Sequence, residues 1–126
     1  MKKILILSGP THEYIDPVRF ISNNSSGKMG YAMAKEAYQL GAHVILISGP
    51  TSLDTPSGVK FYNVFTSQEM YSKVMENFDA VDIAISAAAV ADFKPQNFET
   101  QKIKKKEHIH LLKPVSYTHL TLPTSD

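Results

Sequence analysis

The segment Asn23-Asn24-Ser25-Ser26-Gly27-Lys28-Met29-Gly30 places two hydroxyls and two glycines at the start of a helical pattern. A helix start leaves backbone N–H groups without intrahelical partners, and the helix dipole adds positive potential, so such a segment suits a phosphate. The plain alternative is a serine N-cap with glycines kept for helix–sheet packing. Arg19 carries a fixed fork of donors for a carboxylate or phosphate, with a surface ion pair as its ordinary role. Ala88 and Ala89 leave room for a substrate against the backbone, or simply pack closely. Asp92 could bind a ribose hydroxyl or a substrate amide, or else cap a helix. The run Lys102-Ile103-Lys104-Lys105-Lys106 reads in isolation as a solvated basic face. His108 and His110 would share one face of a strand, but two histidines without a third ligand read as surface residues rather than a metal pair.

These residues need a scaffold, and the apolar periodicity supplies one. Ile4 to Leu7, Val44 to Ile47 and Ile83 to Val90 are short apolar runs bounded by Gly, Pro, Ser or Asp, as expected of buried parallel strands. Ser26 to Leu40 carries Met29, Met33, Ala37 and Leu40 at helical spacing, and Gly41 supplies the stop. A weaker strand over Lys60 to Phe65 leads into the capping box Thr66-Ser67-Gln68-Glu69 and a helix with Met70, Val74 and Phe78 on one side. Strands alternating with helices predict an α/β, Rossmann-like doubly wound parallel sheet with helices on both faces, its ligand crevice at the C-terminal strand ends. The connection from Ser8 to Ser25 far exceeds the roughly 2 to 6 residues usual in such units, which marks it as functional.

Four segments in order resemble the phosphopantothenate-cysteine ligases: Ser8-Gly9-Pro10-Thr11-His12-Glu13; Ile15-Asp16-Pro17-Val18-Arg19-Phe20-Ile21-Ser22-Asn23 running into the Ser-Ser-Gly helix start; Ser86 to Phe93; and Lys102-Ile103-Lys104-Lys105. The resemblance covers residues 1–113 and implies the N-terminal part of a ligase domain. Enzymes of this kind join 4'-phosphopantothenate to cysteine in coenzyme A biosynthesis, through an acyl-nucleotide intermediate and release of pyrophosphate. The resemblance implies that Gly9, Ser25, Gly27 and Gly30 line the triphosphate and that Asn23, otherwise a plain turn residue, holds phosphopantothenate or its acyl intermediate. It puts Arg19 near the site, Ala88, Ala89 and Asp92 against the substrate, Asp92 also on the nucleotide, and Lys102 on the nucleotide during acyl-cytidylate formation. The Lys-Ile-Lys-Lys stretch implies CTP rather than ATP. Mg2+ is expected on the triphosphate rather than in a protein cage, and a homodimer is expected of the full-length form.

Bulk composition limits the alternatives. With 43% apolar and 20% charged residues among 126, the chain reads as one ordinary globular domain. A net charge of +1 gives no field that would recruit nucleic acid or an anionic membrane. The absence of cysteine excludes disulfides and thiolate chemistry, and a cytoplasmic home is expected. The rival reading, a nicotinamide-dependent oxidoreductase, needs a Gly-x-Gly-x-x-Gly turn and an acidic residue after the second strand. The chain instead has Gly9-Pro10-Thr11-His12-Glu13 and Ser48-Gly49-Pro50. Met1 directly before the first strand points to the stand-alone form of the ligase. Residues 114–126 leave the family pattern and resemble sequencing-adapter read-through, so the sheet is expected to be incomplete at the C-terminus and the chain inactive by itself.

Overall fold

In the first strand, alternate side chains face opposite ways. Leu5 and Leu7 point to one face and Ile6 to the other, and all three are fully buried, so both faces of the sheet must be covered. The computed structural model describes residues 1–96, 98 and 112–115. In chain order the elements are β1 (Lys3–Ser8), β2 (His12–Tyr14), β3 (Phe20–Ser22), α1 (Lys28–Gln39), β4 (His43–Ser48), β5 (Lys60–Asn63), α2 (Ser67–Asn77), a 3-10 turn (Phe78–Ala80), β6 (Ile83–Ser86), β7 (Phe93–Pro95) and β8 (Leu112–Pro114).

The main sheet has the order β5-β4-β1-β6, with every pair parallel. Leu5, Leu7 and Ile47 pack with Met70 and Val74 of α2. Ile6, Val44 and Leu46 pack with Tyr31 and Ala34 of α1. The helices therefore cover opposite faces, as the strand–helix alternation predicts. The chain runs outward from β1 through β4 to β5 and then returns to β6 on the other side of β1, so the topological switch lies between β1 and β6. In such sheets ligands bind outside the carboxyl ends of the strands at that switch.

Four expectations change. The long connection after β1 holds a hairpin, with His12–Tyr14 antiparallel to Phe20–Ser22. Its turn is closed by Asp16, whose Oδ1 accepts hydrogen bonds from the backbone N–H groups of Val18 (2.8 Å) and Arg19 (2.7 Å). Helix α1 starts at Lys28 rather than Ser26, and its buried face is Gly30, Tyr31 and Ala34. Met29 and Leu40, expected inside, are 71% and 79% exposed. The phase is set by Gly30, which lies so close to Ser8 that an added methyl would collide with the serine Oγ and Cβ. The strand expected to reach Phe65 ends at Asn63. The strand expected to reach Val90 ends at Ser86, and Ile83 on this sheet edge is 43% exposed. Its backbone pairing with β1 nevertheless continues, through a parallel bridge between Pro10 and Ala89. The α2 expectation holds for the Thr66 cap, whose Oγ1 accepts from the Glu69 N–H at 3.1 Å, and for buried Met70 and Val74, while the Glu69 carboxylate takes the Thr66 hydroxyl rather than its N–H and Phe78 opens the 3-10 turn after the helix.

Candidate functional site

Adjacent strands β1 and β4 end in the same tetrapeptide, Ser8-Gly9-Pro10-Thr11 and Ser48-Gly49-Pro50-Thr51, in register at Ser8 and Ser48. Gly9 and Gly27 both take left-handed backbone, with φ of 77° and 78°. A Cβ added at either would press on the Thr51 methyl, at 3.1 Å for Gly9 and 2.8 Å for Gly27. Gly49 is so close to the Pro10 carbonyl that any Cβ there would overlap it. Glycine is thus required for two strand-end loops and a helix start to meet in one place. Polar side chains complete the junction. The Ser8 hydroxyl donates to the Gly27 carbonyl at 3.0 Å, Tyr31 donates to the Ser48 Oγ at 2.9 Å, and the Thr51 hydroxyl donates to the Tyr31 Oη at 3.1 Å.

The start of α1 faces outward from this junction. Gly27 occupies the N-cap position with no side-chain cap, and the Ser26 Oγ takes only the Lys28 N–H, at 3.3 Å. The first intrahelical bond is Tyr31 N–H to Gly27 O. The Met29 and Gly30 N–H groups therefore have no partner among the described residues, which is the arrangement that accepts a phosphate. Beside Ser25 and Ser26, which precede the helix, lies a cavity of about 490 Å³. It is walled by Pro10, His12, Phe20 and Ser22 on the hairpin side, Asn23, Ser25 and Ser26 ahead of α1, and Pro50, Thr51 and Ser52 after β4. The His12 and Phe20 rings stack at 3.8 Å with 8° between their planes. Partial burial of the His12 imidazole pushes its pKa below the ordinary value of 6.5. A separate hollow of about 540 Å³ lies between α1 and residues 53–57, and Lys28 and Tyr31 at the start of the helix border it.

The segment Ala88 to Asp92 is tied to this junction from two sides. Thr11, fully buried, donates its N–H to the Ala89 carbonyl at 3.2 Å, and its Oγ1 accepts the Ala91 N–H at 3.0 Å. The Ser22 hydroxyl donates to the Thr11 carbonyl at 2.7 Å, and the Asn23 Nδ2 donates to the Val90 carbonyl at 2.7 Å. Asn23 thus spends its donor on the segment that carries Ala88, Ala89 and Asp92, while its Oδ1 accepts no hydrogen bond among the described residues. Ala88 packs against the core on the α2 side. A strand rather than a helix follows Asp92, so helix capping is not its role, and its carbonyl accepts the Val115 N–H at 3.0 Å.

Of the residues singled out from the sequence, Asn23 and Ser25 line the cavity, and Gly9 and Gly27 lie together behind Thr51. Gly30 turns toward Ser8 and adds its backbone N–H to the helix start. Arg19 is exposed on the hairpin turn, and it, Ala88, Ala89 and Asp92 stand outside the cavity wall. Lys102, His108 and His110 lie outside the described residues. Thr11, His12, Phe20 and Thr51 were missed by residue-level reasoning. The repeated Ser-Gly-Pro-Thr was the available signal for Thr11 and Thr51.

The sequence matches the family described as the DNA/pantothenate metabolism flavoprotein C-terminal domain over residues 1–118. The chain belongs to this family. It is 58% identical over 106 residues to the coenzyme A biosynthesis bifunctional protein CoaBC of Vibrio vulnificus, a span of 84% of this chain and 26% of that protein. Against CoaBC of Bacillus subtilis the identity is 53% over 107 residues, again 84% of this chain and 26% of the relative. The chain therefore spans about a quarter of the length of these family members. The crystal structure of a CoaBC C-terminal domain superposes with a TM-score of 0.79 at 46% identity, covering 90% of this chain and 54% of that one. A family flavoprotein from Streptococcus pneumoniae, 24% identical, shares the fold at a TM-score of 0.77 over 91% of this chain and 61% of its own.

Proposed function

We propose that the chain forms the nucleotide-facing wall of a phosphopantothenate-cysteine ligase acting in coenzyme A biosynthesis. The observation that carries this reading is the uncapped start of α1, preceded by Ser25 and Ser26 in the wall of a cavity that Asn23 ties to the Ala88 to Asp92 segment. Backbone N–H groups there would hold the triphosphate of CTP, with the Ser25 hydroxyl beside them. The Asn23 Oδ1 would accept from an amide of 4'-phosphopantothenate while its amide group keeps the wall in place. Lys102 is assigned to the nucleotide during acyl-cytidylate formation, and Arg19 and Asp92 to charged or hydroxyl groups of the substrates. Cysteine then displaces CMP from the mixed anhydride, and no protein nucleophile is required.

Among the described residues no cluster of three or more His, Asp or Glu could hold a metal ion. Mg2+ would arrive bound to the triphosphate, neutralising charge that the α1 amides meet only in part. A homodimer is supported by apolar surface on the hairpin and on the neighbouring β7–β8 ribbon, where Val18, Phe20 and Phe93 are exposed. Among the described residues no helix is long and apolar enough to cross a membrane, and the proposed reaction is assigned to the cytoplasm.

The test is isothermal titration of the purified chain with CTP, ATP and NAD, each with Mg2+. Saturable CTP binding that pyrophosphate displaces is expected, without ligase turnover by these residues alone. Binding of NAD and not CTP would replace this reading with the oxidoreductase one.

A further inference from the structure

The ribbon β7–β8 sets Lys94 directly opposite Lys113, so the two side chains leave the same face of an antiparallel pair. Both line a hollow of about 350 Å³ that is distinct from the α1 cavity and is closed on its other sides by β2 and the start of α2. Like charges facing each other across a ladder repel, and neither lysine forms an ion pair with a described residue. The single carboxylate among the described lining residues, Glu13, is 4% exposed and already engaged. Its Oε2 accepts the Ser67 N–H at 3.2 Å and its Oε1 accepts the Ser67 hydroxyl at 3.1 Å. Tyr14, Gln68 and Gln96 add polar groups to the lining that make no side-chain hydrogen bond among the described residues. Two ammonium groups without an ion pair among the described residues, set beside neutral polar groups and facing a carboxylate already held by Ser67, leave room for an added anion.

We propose that the hollow between Lys94, Lys113 and Tyr14 is a second anion site, taking the phosphoryl group of a phosphomonoester. The volume exceeds that of the phosphoryl group alone, and Pro95 and Phe98 give it an apolar side where the organic part of the ester rests. The two lysines bind the dianion as point charges from one side, and the Tyr14 hydroxyl and the Gln68 amide donate from the other. This site works independently of the α1 cavity, so its failure and the failure of the ligase reading give different results.

The test is a titration of the 126-residue chain, labelled with 15N, with inorganic phosphate, phenyl phosphate and, as a neutral control, benzyl alcohol. Saturable shifts at the amides of Tyr14, Gln68 and Lys94 are expected with both phosphates, tighter for phenyl phosphate, and none with the alcohol. Lys94→Gln and Lys113→Gln should each weaken binding there about tenfold or more, while the double arginine variant retains it. Equal affinity for inorganic and phenyl phosphate would assign the site to free phosphate and overturn the ester assignment. Shifts confined to the α1 amides, or unchanged affinity in the glutamine variants, would overturn the site itself.

Discussion

Thr11→Val isolates the hydrogen bond that holds the second wall of the site. The replacement keeps the shape and the branched Cβ and removes only the hydroxyl oxygen, so no cavity follows. It strips the Ala91 N–H of its acceptor at a position where both Thr11 and Ala91 are buried, with exposures of 0% and 1%. A buried donor left unpaired costs about 1–3 kcal/mol. At roughly 4 °C for each kcal/mol in a domain of this size, Tm should fall by about 4–12 °C. Thr11→Ser keeps the acceptor and loses only a buried methyl, about 0.8 kcal/mol. The assay is thermal unfolding together with amide hydrogen exchange. Ala91 should exchange faster in the valine variant and stay protected in the serine variant. A valine variant within about 0.5 kcal/mol of the parent, with Ala91 still protected, would refute the clamp and with it the claim that Thr11 positions Ala89 to Asp92.

Gly30→Ala should destabilise by about 1–3 kcal/mol through collision with Ser8, although the same change in an open helix stabilises by about 1 kcal/mol; denaturant unfolding reads the sign, and adding Ser8→Gly should recover part of the loss. His12, whose pKa is lowered by burial, binds fewer protons folded than unfolded. Its contribution is therefore fully present above the unfolded value of about 6.5 and is lost as pH falls through it toward the folded value. His12→Gln should flatten the acid side of a stability profile measured between about pH 7.5 and 5, and an unchanged slope would remove His12 from the explanation. Asn23→Asp takes the donor from Val90 and sets a carboxylate in its place; Val90 to Asp92 should gain hydrogen-exchange rate and CTP affinity should drop at least about tenfold.

What the residues reveal in advance follows from how far each signal extends. The runs Ile4 to Leu7 and Val44 to Ile47 are apolar on both faces and therefore announce a doubly covered sheet. The Thr66 box announces α2 because the capping partners lie three residues apart. The hairpin was hidden because His12–Tyr14 and Phe20–Ser22 are each three residues, too short for an alternation to show. The phase of α1 was hidden because apolar patterning gives Gly30 no weight, although its contact with Ser8 decides which side of the helix faces the sheet. Within the site, the glycines and Asn23 could be singled out by type and by resemblance. Thr11 could not, because its hydroxyl meets a backbone amide eighty residues further along the chain. The same limit applies to Asn23, whose partner Val90 is brought close only by the pairing of β1 with the segment after β6.

The central claim is that the open start of α1 is a phosphate site, and 1H–15N shift mapping during titration with pyrophosphate and then CTP, each with Mg2+, tests it most directly. Saturable shifts are expected that centre on the amides of Gly27, Met29 and Gly30, spread to Gly9 and Thr51, and are shared by both ligands. Saturation with CTP that leaves those five amides unmoved would contradict it.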